Sequence, residues 1–200
     1  SPVQLPGSWA NGRDKFGSGH NVMLAINGAG ELMAWGEDTY GNLGANLAHG
    51  TKRSSPVQIA SGTWSTVCDG GYEEMGAVND DGEVWTWGKN GDGQLGQSNK
   101  TACSSPKQVP GTTWHKCSVT EGNTLATKTD GTLWTWGADR SGNPGQNTNG
   151  VDYSSPIQIP GDWATGYKSI SQGYNTTAAI KANTQLWVWG YNGYGNLGQN

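Results

Sequence analysis

Residues 87–96 read WGKNGDGQLG, and this stretch decides the fold because it returns at regular intervals along the chain. The same Trp-Gly pair, followed after a short gap by Gly-x-x-Gly, begins at Trp35, Trp136 and Trp189. Upstream of each copy lie a hairpin-like stretch, another tryptophan and a Ser-Pro-x-Gln tetrapeptide. A unit that recurs in this way indicates a protein built from adjoining copies of one supersecondary structure.

The four copies are spaced about fifty residues apart. The prolines of the tetrapeptides, Pro2, Pro56, Pro106 and Pro156, are separated by 54, 50 and 50 residues. This period is longer than that of β-helical solenoids, and it leaves room for about four short strands with their turns. We therefore treat residues 1–200 as one repeat domain, with sequence units 1–53, 54–103, 104–153 and 154–200.

The residues inside each unit alternate as they do in strands. Residues 83–87 and 132–136 alternate in character at every second position, which is the period of a strand. The pairs Asp81-Gly82 and Asp130-Gly131 precede them, and an Asp-Gly pair is typical of tight hairpin turns. No segment keeps the apolar spacing of an amphipathic helix, and the 33 glycines disfavour helix interiors. We predict an all-β fold, a β-propeller built of four-stranded antiparallel blades with four repeats visible.

The stretch at residues 87–96, followed after a variable segment by Ser104-Ser105-Pro106, resembles the repeat of the regulator of chromosome condensation family. The other three copies resemble it too, so the resemblance covers essentially the whole chain. It implies propeller blades in a ring of about seven, of which four repeats would be part. A closed four-bladed ring, or closure by another chain, is the alternative. Copy three departs from the family pattern at Pro144, where Leu is expected, and this implies that the blade packs more loosely there.

The resemblance also marks a set of positions as structural. The tryptophans before Gly repeat in register, so we expect them to pack between blades, and the glycines around them to form turns. These positions are Trp35, Gly36, Gly44, Trp87, Gly88, Gly96, Trp136, Gly137, Gly145, Trp189, Gly190 and Gly198.

The amino-acid composition reduces the number of binding functions that fit this chain. Charged residues make up 14% of the chain and the formal net charge is −4, with Lys and Arg dispersed singly. Without a basic stripe to neutralise a row of phosphates, we predict no nucleic-acid binding. The sequence has no transmembrane run, and we predict no membrane partner. Low charge with abundant Gly, Ser, Thr and Asn fits a rigid β scaffold of the extracellular type.

The sequence offers little for catalysis. His20, His49 and His115 lie in unrelated contexts without the spacing of a metal site. Gly-x-x-Gly lacks the Lys-Ser/Thr of a phosphate-binding loop, and its recurrence makes it a turn. We therefore predict no catalytic residue, no metal, no cofactor and no enzyme activity.

Three cysteines are present, at positions 68, 103 and 117. Cys117 takes the apolar position that Val67 holds one copy earlier, which indicates a small buried hydrophobic residue. An odd count argues against a disulfide framework, although a single bond is left open.

The segments between Gly-x-x-Gly and the next Ser-Pro differ in every copy. They are polar, and because each follows the same turn they should cluster on one face and be free to specify a partner. We expect partner contacts in these loops, at residues 46–52, 98–102 and 147–153, with His49, Lys52, Asn99, Lys100, Asn149, Asp152 and Tyr153 as the candidates.

Two functions from different classes follow. The first is a non-enzymatic structural and binding module, which we expect in a virion as a tail, fibre or capsid-decorating component that mediates protein–protein or host-surface attachment. This places the protein in a virion or outside the cell. Its partners would be virion subunits or further copies of itself, and a surface glycan could stack on Tyr40, Tyr153, Tyr191 or Tyr194.

The alternative is a regulatory propeller of the guanine-nucleotide exchange factor or ubiquitin-signalling type, with a cytoplasmic location. The resemblance implies it, but it predicts an inserted loop that reaches the target. The four copies carry no insertion of that kind.

Overall fold

A computed structural model describes residues 1–68, 71–148, 150–166 and 169–199. Asn149, one of the predicted partner-loop residues, lies outside this part of the chain. Over the described residues the chain forms strands, turns and irregular segments, without helix. This part accordingly includes no helix with the length and apolar character to cross a membrane.

Within the described ranges, fifteen strands form four antiparallel sheets, one after another along the chain. The sheets contain β1–β4, β5–β8, β9–β12 and β13–β15, each in sequence order, and we call them blades 1 to 4. The predicted all-β propeller of antiparallel blades is confirmed, as a partial propeller in which blade 4 has three strands. The strands are β1 Phe16–Ser18, β2 Val22–Ile26, β3 Leu32–Glu37, β4 Lys52–Gln58, β5 Trp64–Val67, β6 Glu74–Asn79, β7 Val84–Gly88, β8 Cys103–Gln108, β9 Trp114–Thr120, β10 Asn123–Lys128, β11 Leu133–Gly137, β12 Tyr153–Ile159, β13 Ile170–Gln172, β14 Thr176–Ile180 and β15 Leu186–Gly190.

The central hairpins of blades 2 and 3 close at the predicted Asp-Gly turns. In blade 2, Val78 pairs with Val84, and the intervening turn holds Gly82 at a φ of 73°. The Asn79 side chain accepts a hydrogen bond from the Glu83 N–H at 2.9 Å, which fixes the two strand ends. The Asp-Gly pattern therefore predicts this turn correctly.

The blades are out of phase with the sequence units. The Ser-Pro-x-Gln tetrapeptide that begins each unit is the fourth strand of the blade before it, because Gln108 pairs with Trp85 and Gln158 with Trp134. Each blade therefore starts at or shortly after the first tryptophan of a unit, and blades 1 to 3 end inside the next unit. The first tetrapeptide, Ser1 to Gln4, belongs to none of the four sheets.

The first strands line the inside of the arc. Strand β5 contacts β1 and β2 of blade 1, β9 contacts β6 of blade 2, and β13 contacts β9 and β10 of blade 3. Each fourth strand lies at the other edge of its sheet, on the outside. Turns that join the first and second strands therefore lie nearest the centre of the arc.

The hydrophobic core lies between blades. Alternation along the strands gives every blade two apolar faces: a leading face toward the next blade and a trailing face toward the preceding one. The leading face of blade 1 includes Leu24 and Ile26, and it packs against Trp64, Ala77 and Trp87 on the trailing face of blade 2. Two further clusters repeat this contact between blades 2 and 3 and between blades 3 and 4. We call each of these contacts a joint.

One hydrogen bond recurs in all three joints. The indole Nε1 of the tryptophan in Trp-Gly donates to a carbonyl in the Gly-x-x-Gly turn of the preceding blade, and the ring lies against the last glycine of that turn. For Trp136 the acceptor is the Gln94 carbonyl, at 2.9 Å. A Cβ on Gly96, which has a φ of 67°, would lie 2.8 Å from the Trp136 Nε1. Trp87 and Trp189 bond in the same way to the carbonyls of Asn42 and Asn143, at 3.0 and 2.9 Å.

A disulfide reinforces the joint between blades 2 and 3. Cys68, directly after β5, is bonded to Cys117 in β9, with a Cα–Cα distance of 5.0 Å. Cys103 is a buried free thiol. The sequence left one disulfide open but placed Cys117 as an unbonded hydrophobic residue, and the structure corrects that assignment. The two half-cystines lie 49 residues apart, almost one repeat, so they meet only because successive inner strands are neighbours.

Pro144 changes the turn of blade 3 locally. In the other copies the residue at this position donates its N–H to a side chain near the start of the loop, as Leu95 does to Asn90 at 3.0 Å. Proline has no N–H, and Asp139 accepts instead from Gly142 at 2.8 Å. Pro144 is buried, and the preceding carbonyl still accepts from Trp189. The turn keeps its place in the joint without that donor.

Candidate binding face

Exposed polar and aromatic side chains gather at one end of the blades. Because the strands run antiparallel in sequence order, the turns after β1, β5, β9 and β13 lie at the same end as the loops after β3, β7, β11 and β15. We call this end the loop face. The hairpin turns between second and third strands lie at the opposite end.

Four equivalent residues form the inner row of the loop face. They lie in the turns nearest the centre of the arc. The residue after each of them accepts, through its backbone carbonyl, a hydrogen bond from the backbone N–H of the residue that follows Trp-Gly. Glu73, for example, accepts from the Lys89 N–H at 2.9 Å. Tyr72 and Tyr174 are 38% and 54% exposed, which leaves much of each ring available for contact. The inner row consists of His20, Tyr72, Glu121 and Tyr174.

The inner row is joined across the blades. The rings of His20 and Tyr72 lie 4.4 Å apart between their centroids, and the His20 N–H donates to the Tyr72 carbonyl at 3.1 Å. Backbone and ring contacts therefore hold the row of blade 1 against that of blade 2.

Arg140 connects blades 2, 3 and 4. Its guanidinium donates to Asp92 at 2.7 Å and to the Tyr174 hydroxyl at 3.2 Å, and it lies 3.9 Å from Glu121. Burial alone would lower the pKa of Arg140, but the hydrogen bond to Asp92 and the nearby charges raise it overall. The cation is thus fixed between two inner-row residues with part of its surface exposed.

Lys89 plays a similar part between blades 1 and 2. Its ammonium donates to Glu73 at 2.9 Å and lies 5.5 Å from the centre of the Tyr40 ring. The hydrogen bond with Glu73 raises the pKa of Lys89. Tyr40 in turn lies 6.5 Å from the His49 ring.

A buried carboxyl lies beneath this surface. Glu74 is fully buried; one carboxyl oxygen accepts from the Gly122 N–H of blade 3 at 2.9 Å and the other from the Glu73 N–H at 3.2 Å. Burial raises the pKa of Glu74 to about 7, against the lowering effect of these two hydrogen bonds and of Lys89. The group therefore joins blades 2 and 3 directly under the inner row.

The predicted partner-loop residues lie mainly on the outer part of the loop face, and most bond to their own surroundings. Lys100 and Asp152 meet across blades 2 and 3 at 2.9 Å, whereas Lys52 lies 3.4 Å from Glu37 in its own blade. Asn99 accepts from the Thr101 N–H and closes its own loop.

The remaining candidates are divided between local contacts and exposed ends. The Tyr153 hydroxyl bonds to Thr148 at 3.1 Å, and its ring packs on the core of blades 2 and 3. His49 contacts Tyr40, and Tyr191 packs against Tyr194 at the end of the arc, with ring centroids 5.7 Å apart. The structure thus pairs Lys100 with Asp152, but the candidates that lie in the described part of the chain do not come together as one site.

The inner row was not predicted from the sequence, although its residues share a fixed spacing from a repeated tryptophan. Each of its residues lies fifteen positions before the tryptophan of Trp-Gly, as Tyr72 does before Trp87 and Glu121 before Trp136. A position at this fixed distance from a repeated tryptophan, filled by His, Tyr or Glu in different copies, could have identified it. The variable loops were predicted instead because they are polar, differ in every copy and follow the same turn.

The loop face offers recognition groups. Its inner row combines two tyrosines, a histidine and a carboxylate with the cations of Arg140 and Lys89. Among the described residues, His, Cys, Asp and Glu form no cluster of three that could hold a metal ion. The arrangement can donate and accept hydrogen bonds and stack on planar groups, which is the chemistry of a protein interface.

The sequence is similar to a known repeat family and to several characterised proteins. Models of the regulator of chromosome condensation (RCC1) repeat match residues 81–123 and 167–196. The chain is 27% identical over 182 residues to the ultraviolet-B receptor UVR8 of Arabidopsis thaliana, covering 90% of this chain and 41% of the receptor. It is 31% identical over 97 residues to the human E3 ubiquitin-protein ligase HERC2, covering 46% of this chain and 2% of the ligase. The chain thus spans less than half the length of the curated relatives it matches.

Solved structures agree on the fold. Human WBSCR16 matches with a TM-score of 0.76 at 21% identity, over 86% of this chain and 46% of that one. Yeast RCC1 (Prp20), solved with Kap60, matches with a TM-score of 0.74 at 18% identity, over 92% of this chain and 46% of that one. Residues 81–123 and 167–196 therefore match the regulator of chromosome condensation repeat, and the four blades described above have the fold of part of an RCC1-like β-propeller.

Proposed function

We propose that this chain is a protein-binding part of a propeller, and that the inner row of the loop face is its recognition surface. One observation carries the proposal. Four structurally equivalent positions, each in a turn between two strands, hold three kinds of side chain: histidine at His20, tyrosine at Tyr72 and Tyr174, and a carboxylate at Glu121. A repeat scaffold that varies its side chains at one exposed position presents a specific surface without altering its fold.

The chemistry of the row supports a protein as the partner. Tyrosine and arginine are enriched among the residues that dominate binding energy at protein interfaces. Tyr174 and Arg140 lie together here, with the Arg140 carbon 5.7 Å from the centre of the Tyr174 ring. Asp92 also holds Arg140, so less side-chain freedom is lost when a partner binds.

Relatives support the class of function. The solved structures that share this fold include RCC1 bound to Kap60, and Prp20p described with its binding to Gsp1p and histones. These are protein partners of those proteins, and the identities are too low to transfer them to this chain. The ligase and receptor among the curated relatives favour a binding or regulatory role, while catalysis by a ligase belongs to a far longer chain.

The virion role, which the resemblance implied and the composition fits, has no support among these relatives, and neither has a glycan partner. Both stay predictions. The location in a virion or outside the cell also stays a prediction. The disulfide between Cys68 and Cys117 supports it, because disulfides persist in oxidising environments. The regulatory alternative gains weight because the matched relatives are receptors and regulators.

The experiment is a quantitative capture of partners by the purified chain, followed by titration of the protein captured. Tyr72→Ala combined with Tyr174→Ala should lower affinity for that protein at least tenfold, because each side chain offers exposed ring area at the centre of the surface. The matched control is Asp80→Ala with Asp81→Ala, two exposed residues in a hairpin turn at the opposite end of blade 2. Equal affinity for both double variants would contradict the proposal.

A further inference from the structure

The carboxyl group of Glu74 bonds to the backbone of two inner-row turns at once. One oxygen accepts from the Gly122 N–H of blade 3 at 2.9 Å, and the other accepts from the Glu73 N–H at 3.2 Å. Gly122 directly follows Glu121 of the inner row. Glu73 directly follows Tyr72. One side chain therefore sets the spacing between two recognition residues that belong to adjacent blades.

The bond to Gly122 also reaches the fixed cation of the loop face. Gly122 has a φ of 90°, and a Cβ there would lie 3.1 Å from the Asp92 carboxylate and 3.2 Å from the Arg140 guanidinium. The backbone of the turn therefore packs against this ion pair without room for a side chain. A movement of Gly122 would displace Arg140 together with Glu121.

The equivalent position in the other blades carries no titratable group. Glu74 begins the second strand of its blade and pairs with Gly88 of Trp-Gly. The residues that pair in the same way with the glycine of the other Trp-Gly copies are Val22, Asn123 and Thr176. Glu74 is thus the one ionisable member of this set.

Asn123 shows that a neutral side chain is sufficient to join two blades here. It is fully buried, and its carbonyl oxygen accepts from the Gln172 side chain of blade 4 at 2.6 Å. Its amide nitrogen donates to the Ala138 carbonyl at 3.2 Å. The amide links blades 3 and 4 as Glu74 links blades 2 and 3. A carboxyl group adds one property that the amide lacks, which is the ability to gain and lose a proton.

The surroundings of Glu74 oppose its negative charge unevenly. Burial raises the pKa of Glu74 to about 7, although the two hydrogen bonds and Lys89 lower it. Lys89 of blade 2 favours the charged form, whereas Glu121 of blade 3 disfavours it. The charged and titratable side chains of the surrounding turns are His20, Glu73, Lys89, Asp92, Glu121 and Arg140. An ionised Glu74 is therefore attracted toward its own blade and repelled from blade 3.

The rest of the joint restricts the movement that this charge can cause. The disulfide between Cys68 and Cys117 joins blades 2 and 3 covalently, and the Trp136 indole donates to the Gln94 carbonyl at 2.9 Å. Neither contact involves Glu74. The two blades accordingly stay packed when Glu74 ionises, and the change is confined to the inner turns.

We propose that Glu74 is a pH-sensitive positioning residue for the recognition surface. In its protonated form it keeps the turns of Tyr72 and Glu121 at the spacing described above. After ionisation it moves toward Lys89 and releases Gly122, and the inner row then binds its partner less tightly. Affinity therefore falls as the pH rises through neutrality. This inference rests on the proposed function, in which the inner row recognises a protein.

The first test follows the turns in the absence of any partner. In a ¹⁵N-labelled chain, the amide resonances of Gly122 and Glu73 should shift together with pH around a midpoint near 7, because both groups donate to the same carboxyl. The titration of the unmodified chain requires no variant. If the two resonances share no midpoint within about two pH units of that value, the proposal is wrong whatever the chain binds.

Two variants assign the shared midpoint to its source. Glu74→Gln keeps an oxygen for the Gly122 N–H but cannot ionise, so the shared midpoint should disappear. Asp81→Asn is the matched control, because it removes one exposed carboxylate from the hairpin turn at the opposite end of blade 2 and should leave the midpoint in place. A midpoint that persists in Glu74→Gln would assign it to another group and overturn the proposal.

The second test measures affinity for the captured protein at about pH 6 and pH 8. The unmodified chain should bind about fivefold to tenfold more tightly at the lower pH, because one proton is coupled to binding. Glu74→Gln should lose most of this difference, while His20 and the partner's own groups titrate equally in both proteins. An equal pH dependence in both proteins would overturn the proposal.

Failure of the proposed function would give a different pattern of results. In that case the double variant of Tyr72 and Tyr174 would bind as well as its control, while the Gly122 and Glu73 resonances still shared a midpoint. That result would overturn the link between Glu74 and binding. If instead only the pH dependence of affinity is missing, the loss of affinity in the tyrosine variant would still support the inner row as the recognition surface.

Discussion

Trp136 and Trp35 occupy the same position of the repeat, yet their surroundings differ. Trp136 is fully buried in the joint between blades 2 and 3 and bonds to Gln94, whereas Trp35 is half-buried on the open trailing face of blade 1. The same holds for Leu32, fully buried, and Leu186, 67% exposed. Each blade therefore supplies one side of a hydrophobic core. Where an adjacent blade packs against it, the repeated side chains are buried and stabilise the fold; elsewhere they stay exposed.

The sharpest way to examine this comparison is to remove each ring in turn. Trp136→Ala should cost about 3 to 5 kcal/mol in the free energy of unfolding, because it leaves a large cavity in a closed joint. Trp35→Ala should cost about 1 to 2 kcal/mol, because less of its area is buried. Urea unfolding gives both values. Equal costs would show that the neighbouring blade contributes nothing at this position.

The disulfide distinguishes the joint between blades 2 and 3 from the other two. Cys68→Ala with Cys117→Ala should lower the free energy of unfolding by about 2 to 4 kcal/mol, since the bond closes a loop of 49 residues in the unfolded chain. Reduction of the unmodified protein should have the same effect in urea unfolding. Reductant should leave the double variant unchanged; a loss of stability there would point to another source.

The buried carboxyl makes the same joint sensitive to pH. Glu74 has a folded pKa raised by burial from 4.5 to about 7, so the folded state holds a proton that the unfolded state has released. Its contribution is fully present below about pH 4.5 and is lost as the pH rises through about 7. The loss amounts to up to about 3 kcal/mol.

Glu74→Gln separates this effect from other titrations. The amide keeps an oxygen for the Gly122 N–H and cannot ionise, so the variant should lose less stability than the unmodified chain between pH 5 and pH 8. Lys89, Glu73 and Glu121 remain in both proteins and act as a common background. Parallel pH profiles of the two free energies of unfolding would show that Glu74 does not ionise in this range.

The smallest expected change in stability concerns the partly exposed ion pair between Arg140 and Asp92. Arg140→Ala should cost about 0.2 to 1 kcal/mol in stability, because an ion pair that is about one-third exposed is weakened by solvent. The loss should shrink further at high salt. Thermal unfolding at low and high salt measures both values, and a loss above that of the disulfide variant would mean that Arg140 organises the joint.

Much of the fold could be predicted from the sequence, because the joints depend on local patterns. Strand alternation, the Asp-Gly turns and the recurrence of Trp-Gly with Gly-x-x-Gly together determined the antiparallel blade and the propeller. Pro144 could be recognised from the sequence as a departure from the repeat, but its consequence could not be predicted. Leu95 donates its N–H to Asn90, whereas in the Pro144 copy Gly142 donates to Asp139, and this change depends on the geometry of the loop.

The candidate site was predicted less well. The sequence placed variable residues at one end of the blades, but only the tertiary structure put Tyr72, Glu121 and Tyr174 nearest the centre, because that position depends on which strand lines the arc. It also decided that Cys68 reaches Cys117 and that Arg140 bridges three blades.

The sequence by itself determined the repeat, the blade and the chemistry of both blade faces, because these depend on patterns within about fifty residues. The tertiary structure decided which copies of those faces are closed and which are open. It did so because burial of a repeated residue depends on the adjacent blade, and the four copies have the same pattern whether they lie inside the arc or at its ends.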